Sequence, residues 1–582
     1  MSLRKAVTRS AKRNLESQVA TQSTTQAAAQ EAPQSTEIPT NIPSPTETND
    51  VEEQDLLSGL TLTKNKKYIK IDENLLSRLN PEPIVITKAN PFENFPEFLN
   101  AVKQATPLTV DFLNDCSTAF HQNPMAVKMA EMIGNFPIDW LALKRSAMRE
   151  DNWDYSIKLS VEPKVTNQQR TGRCWQFASL NCLRYPLMKK LNVNRRFSFS
   201  PGYLFFYDKV ERSDLFLEYI WSLRDRDLQD RIVRHLTAPG NHFIHDGGDF
   251  EYFNNLVKKY GLVPENIYSE DYNSMVSDSM NETLIIVLNH MALEIMRNKE
   301  RTREEFLEKK KNYMKTIYDL VTRFLGEPPK PTDTFTWTYK DEAGETHKIK
   351  NMTPEKFYRT LIADDDQKIV IINDPRHPET YYMPSFVEYG LNTSDGIPKN
   401  FVNLPIDVFK KAVYENLKHD KPVWMGACMG KGLDMETNTS DPDRFDYESV
   451  LGTKTEFSKT DMLDMLTAVP NHAMLFNGVD VDEDENGNVT KYYKWRVENS
   501  WGAGDEENEP DKGYHRMMDS FFDKYVYEAV VSLKYFEPEV ANKIMENMRA
   551  GKTYTYSSYD ALGNVAQCKH CNGTKISRPK RF

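Results

Sequence analysis

Cysteine is scarce. Six occur in 582 residues (Cys116, Cys174, Cys182, Cys428, Cys568 and Cys571), too few and too scattered for the disulfide framework of a secreted domain, so a reduced intracellular chain is expected. No apolar run approaches the roughly eighteen residues of a membrane-spanning helix, and no secretory signal core is present. Excess positive charge is missing as well: 74 Lys and Arg against 85 Asp and Glu give −11. The two ends, residues 1–15 and 567–582, carry five basic and no acidic residues each, which leaves the body between them at −21. A body that acidic is a poor general binder of phosphate. The N-terminal 15 residues contain Ser and Thr and meet no acid before Glu16; a mitochondrial transit peptide and a solvated basic tail explain this equally, and both readings stay open. Residues 17–50 are Gln, Thr, Ser, Ala and Pro with few large apolar groups. They cannot bury enough surface to offset ordering entropy, so residues 1–65 are expected to be disordered.

What is present begins with Gln168-Gln-Arg-Thr-Gly-Arg-Cys174-Trp. A glycine-containing turn delivers Cys174 to a segment whose apolar residues recur at helical spacing, Trp175, Ala178 and Cys182, then Leu180, Leu183 and Leu187. At a helix N-terminus the unpaired N–H groups and the dipole favour thiolate over thiol, as a nucleophile requires. The same cysteine would otherwise be a small buried hydrophobe.

A thiolate nucleophile works with a histidine that a third group orients. Pro470-Asn-His472-Ala-Met-Leu475 places a histidine at the head of a short apolar run. Trp495-Arg-Val-Glu-Asn499-Ser-Trp-Gly502 places an asparagine between a strand-like run and an aromatic. The order is Cys, His, Asn.

Gln168, Cys174-Trp175, His472-Ala473 and Asn499-Ser-Trp-Gly502 resemble the signature of papain-like cysteine peptidases. Tyr203-Leu-Phe-Phe-Tyr-Asp-Lys-Val-Glu-Arg212, Asp246-Gly-Gly248, Thr334-Phe-Thr-Trp337 and Pro422-Val-Trp424 narrow the resemblance to the bleomycin hydrolase family. The resemblance implies an α+β papain-like fold, a helical half and a β-barrel half, with a large mainly helical insertion. It implies Gln168 and the Cys174 N–H as an oxyanion hole, and Gly247 and Gly248 as the edge that pairs with substrate main chain. Read alone, that double glycine is simply a loop. Trp175 and Trp501 are placed among the substrate-binding residues, Trp501 also shielding the Asn499–His472 hydrogen bond.

The separation of 298 residues from Cys174 to His472 calls for an insertion, placed at 271–420, between an arm with the Cys half (66–270) and a β-rich half with His and Asn (421–566). Asn281 to Leu325 has long helical periodicity with a mixed charge run, Arg297 to Lys311; such a run is most often a solvated face. In the family, the insertion builds a homohexamer, and basic residues facing its channel are linked with DNA or RNA binding in fungal relatives. The expected activity is hydrolysis of amide bonds at the amino end of peptides, with thiolactones as a further substrate class and no metal or organic cofactor. Asp482 to Gly487 reads as a hairpin turn, and Cys568-Lys-His570-Cys571 is a weak metal pattern. Two other readings stand beside this one: an endopeptidase of the same fold, and a nucleic-acid-binding assembly protein. The endopeptidase reading rests on residues 567–582. In the family the terminal carboxylate lies in the cleft and pairs with the substrate amine, and here sixteen more residues follow Ala566.

Overall fold

The strand-like runs Val423–Ala427 and Val526–Ser532 are buried at every position, the pattern of strands covered on both faces. In the computed structural model they lie side by side in the middle of a 12-stranded sheet. The described residues are 105–148, 152–238, 242–298, 302–363, 366–503 and 511–567, with the backbone of a hairpin pairing Leu60–Leu62 and Ile69–Ile71. Most of the segment expected to be disordered and of residues 66–104, together with Cys568 to Phe582, lie outside them. The chain divides into two compact units, 1–114 and 115–582; the first holds that hairpin and the second holds the 12-stranded sheet.

Outward from the middle on one side, Val423–Ala427 pairs with His472–Glu483, then Val489–Glu498, then Tyr514–Met518, all antiparallel. On the other, Val526–Ser532 pairs with Lys368–Ile372, which continues through Asn400–Asn403, Pro384–Val387 and Tyr554–Tyr556. Residues 368–403, assigned from sequence to the insertion, therefore contribute strands to the sheet that carries His472. Their apolar stretches are short and separated, so nothing in the sequence signals that they pair with the distant Val526–Ser532.

Against the sheet lies the helix Cys174–Leu191, in which twelve residues are buried. Pro201–Ser222, capped by the Ser200 hydroxyl, and Phe250–Tyr260, capped by the Asp249 carboxylate, complete the helical half. The long helical segment expected over Asn281 to Leu325 is two helices, Asp278–Arg297 and Arg303–Leu325. The second starts at a capping box, in which Thr302 accepts from the Glu305 N–H and the Glu305 side chain accepts from the Thr302 N–H. A Thr-x-x-Glu of this kind opens a new helix, a stop that periodicity alone does not show. The insertion closes with the hairpin Phe335–Lys340 and Thr346–Met352. Among the described residues no helix is long and apolar enough to cross a membrane.

Candidate active site

The loop before Cys174 is tied down by its own polar groups. The Thr171 hydroxyl donates to the Gln168 carbonyl (2.7 Å), and Gln168 Nε2 donates to the Thr171 carbonyl (2.7 Å). Arg173 is fully buried, forked onto Glu270 at 2.9 and 2.7 Å and bound through Nε to the Thr171 hydroxyl. The Gly172 N–H donates to Asp246 (3.3 Å), a buried carboxylate that Lys209 (2.8 Å), Asn281 (2.7 Å) and Ser277 also hold. These contacts fix the turn from which Cys174 enters its helix. Cys174 is fully buried, and the Ala473 N–H donates to its Sγ at 3.4 Å.

That contact places the sulfur beside the residue after His472. His472 is the first residue of its strand and pairs with Ala427. Asn499 follows the last residue of the neighbouring strand, Val489–Glu498. Glu498 ties this strand end to the Cys174 helix, accepting from Arg184 (2.7 Å) and from the Tyr185 hydroxyl (2.8 Å). Three segments distant in sequence thus meet at one point.

The hydrogen bonds fix the imidazole tautomer. Asn499 Oδ1 lies 2.8 Å from the Ser500 N–H and 2.8 Å from His472 Nε2. A backbone N–H can only donate, so the atom it meets is the amide oxygen, and His472 Nε2 must donate to that same oxygen. The neutral imidazole therefore keeps its lone pair on Nδ1, which is buried and has no hydrogen-bond partner among the described residues. Burial lowers the His472 pKa to about 4, the Asn499 hydrogen bond acting the other way. Trp501 stacks on the imidazole with centroids 5.0 Å apart and planes at 28°.

Gln168 is 1% exposed. Its Oε1 accepts from the Ser500 hydroxyl (2.6 Å) and its backbone N–H donates to the Ser500 carbonyl (2.8 Å). With Oε1 so fixed, Nε2 is the donor end, and one of its two N–H groups remains after the bond to Thr171. The Cys174 N–H stands in the first turn of its helix, where the helix supplies no carbonyl. Together these can stabilise an oxyanion formed at a carbonyl attacked by Cys174.

Gly248 is paired with the chain's own C-terminal segment, and the Gln567 side chain stands against Gly247. The Gly248 N–H donates to the Ala566 carbonyl and the Ala566 N–H to the Gly248 carbonyl, both at 3.0 Å, and the Gln567 N–H donates to the Asn471 carbonyl at 3.0 Å. A Cβ on Gly247 would stand 2.6 Å from the Gln567 Cβ, and one on Gly248 would stand 2.3 Å from the Trp175 ring, so both positions exclude side chains. Upstream, the Asn564 carbonyl accepts from Lys399 (2.9 Å), whose ammonium also contacts Asp249 (2.8 Å) and Glu528 (2.7 Å). The segment runs toward Cys174 and His472, anchored behind by a buried ion cluster.

Trp175, expected to bind substrate, is instead fully buried, its indole N–H on the Asp246 carbonyl and its ring beneath Gly248. It supports the glycine backbone, because as the second helical residue its side chain turns into the core. Sequence reading missed Ser500, Lys399, Asn564 and His515, whose Nε2 lies 3.1 Å from Asn499 Nδ2. His515 sits opposite Val497 in the adjacent strand, a register that spacing cannot disclose across the intervening loop. Asp341, Glu345 and His347 bring ligand atoms within 4.8 Å of one another, but on the insertion hairpin, and exposed acidic groups often cluster so without an ion.

The Peptidase C1-like family model matches residues 107–563. The chain is 36% identical to human bleomycin hydrolase, over 73% of this chain and 92% of that protein. It is 32% identical to aminopeptidase C of Lactobacillus delbrueckii subsp. lactis, over 75% and 94%. The crystal structure of PepW from Lactobacillus rhamnosis superposes with a TM-score of 0.73 at 28% identity, covering 79% of this chain and all of that one. With a papain-like helix and sheet and relatives matched over nearly their full length, the chain belongs to the Peptidase C1-like family and is a cysteine peptidase.

Proposed function

We propose that the chain is a cysteine aminopeptidase in which Cys174 is the nucleophile, His472 the general acid and base, Asn499 the group that orients it, and Gln168 with the Cys174 N–H the oxyanion hole. His472 Nδ1 takes the Cys174 thiol proton, the resulting thiolate attacks the amide carbon, and the carbonyl electron pair moves to oxygen, where the two N–H donors meet it. Protonated His472 gives its Nδ1 proton to the leaving amine as the C–N bond breaks, leaving a thioester. Water then adds as Nδ1 takes its proton, and the second tetrahedral intermediate expels the thiolate. A thiolactone would open by the same acyl transfer.

The observation that carries the exopeptidase reading is the Gly248–Ala566 pairing. An extended substrate needs this edge, so only the short amino-terminal part of a peptide fits between Gln567 and Cys174. A chain end here would put a carboxylate near the substrate ammonium; five further basic residues would repel it. We therefore also propose that residues after Ala566 or Gln567 are trimmed before full aminopeptidase activity appears. Mass spectrometry of the expressed chain, beside chains ending at Ala566 and carrying Cys174→Ala, tests this, together with the turnover ratio of free-amine to N-blocked peptide. Strict selectivity in an untrimmed chain overturns the carboxylate reading. Cleavage of blocked peptide by such a chain favours the endopeptidase.

Self-association as a hexamer is proposed on the family resemblance and on the Val110–His121 and Pro124–Asn135 helices, which bury no side chain and leave Phe120, Met125 and Phe136 exposed; light scattering decides it. A nucleic-acid face on the charge run is disfavoured, since Arg303 and Lys310 pair with Glu218, Lys309 with Glu294 and Lys311 with Glu308. Mitochondrial targeting of residues 1–15 is a proposal that import of a tagged chain tests.

A further inference from the structure

The amide of Asn499 is held from its far side by a second histidine. Its Oδ1 is fixed as the oxygen by the Ser500 N–H, so its Nδ2 is the atom that faces His515 Nε2 at 3.1 Å. An amide N–H can only donate, and His515 Nε2 must therefore be unprotonated and accept. The His515 proton resides on Nδ1, which is buried without a partner among the described residues. Leaving a buried donor unmade costs stability. A ring that loses stability at one nitrogen and gives the other to Asn499 is poorly explained as core filling. Trp501 links the two rings, its face on His472 and its edge toward His515, with centroids 5.3 Å apart at 83°.

We propose that His515 is a positioning residue whose Nε2 lone pair selects the one orientation of the Asn499 amide that keeps the His472 proton on Nε2 and its lone pair on Nδ1. The alternative orientation would turn Nδ2 toward His472 Nε2. That nitrogen would then have to accept, the proton would move to Nδ1, and the neutral imidazole could no longer take a proton on the Cys174 side. The Ser500 N–H opposes the flip with one neutral hydrogen bond; His515 opposes it with a second, since an amide oxygen turned toward it would require its proton to move from Nδ1 to Nε2. Burial lowers the His515 pKa to about 3, with the nearby His472 acting in the same direction, so the acceptor persists across the working pH range. His515 touches neither substrate nor sulfur and acts only through Asn499.

This inference rests on the roles proposed above for Cys174, His472 and Asn499, and those are tested separately by loss of turnover in Cys174→Ala. The experiment compares wild type, His515→Leu and His515→Gln on one aminoacyl amide, with active sites counted by iodoacetamide titration and folding checked by thermal melting. Leu removes the acceptor; Gln restores one at the reach of Nε2. By analogy with other outer groups that orient a reacting residue, kcat of His515→Leu falls about tenfold or more, with KM within about twofold. His515→Gln recovers to within about threefold of wild type although it melts no higher than the Leu variant. Should the Leu chain be insoluble, His515→Met takes its place. Equal losses from the apolar variant and Gln, or no loss from either, overturn the proposal.

Discussion

Replacing Lys399 by Met should separate anchoring of the C-terminal segment from the chemistry at Cys174. Lys399 is 1% exposed and lies between Asp249 and Glu528, at 1% and 2%, while donating to the Asn564 carbonyl. Removing the cation leaves two buried carboxylates together. Burial already drives the Glu528 carboxyl up against the pull of Lys399, so in the variant Glu528 takes a proton. Breaking a buried ion pair from one side costs about 3–5 kcal/mol, which denaturant unfolding should register. Glu528→Gln added to Lys399→Met removes the carboxyl that must take up that proton and should restore part of that loss. Neither chain regains the bond to Asn564, so residues 564–567 leave the Gly248 edge more often in both. Turnover of N-blocked peptide should rise relative to free-amine peptide by about tenfold, the equivalent of about 1.4 kcal/mol, near the worth of one charge-assisted hydrogen bond to the segment. The assay is kcat/KM for the two peptides on chains ending at Gln567. An unchanged ratio in the single and the double variant would refute the anchoring role, even if stability fell as expected.

Cys174→Ala should abolish hydrolysis while the chain still folds, its stability lowered by about 1–3 kcal/mol because the buried Ala473 N–H loses its sulfur acceptor; more than trace turnover would overturn the nucleophile assignment. His472→Ala should be nearly inactive and Asn499→Ala impaired but measurable, because one moves the proton and the other only orients the ring; kcat compared side by side checks this, and equal losses would refute it. Stability should fall on acidification. His472, His242 and His515 are held down to about 4, about 4 and about 3 from an ordinary 6.5, so below pH 6.5 the unfolded chain binds protons the folded one refuses. Each group stabilises the fold above pH 6.5 and loses that contribution as pH drops through its folded pKa, at a limiting slope of about 1.4 kcal/mol per pH unit. Urea midpoints between pH 7 and 4 measure the slope, and His515→Gln should reduce it by one proton's share; an unreduced slope would mean that His515 is not buried neutral.

The candidate site residues were legible in local sequence pattern. Cys174 at a helix start, His472 heading an apolar run and Asn499 ahead of Ser-Trp-Gly each sit where short-range pattern marks them, because helix starts and strand heads are set by residues within one or two turns. How these parts meet is settled only in the folded chain. That residues 368–403 join the His472 sheet depends on pairing with Val526–Ser532, more than a hundred residues on, and strand partnership over such distances leaves no periodic trace. That Trp175 lies beneath a glycine instead of lining the cleft depends on which helix face turns inward. His515 reaches Asn499 through the register of two antiparallel strands, and a one-residue slip would have pointed it to the other face. The segment through Ala566 takes the Gly248 edge because Lys399, held by Asp249 and Glu528 from two other parts of the chain, donates to the Asn564 carbonyl. Convergence of that kind is a property of the folded volume, where loop closure brings together groups whose spacing in sequence carries no information about their contact.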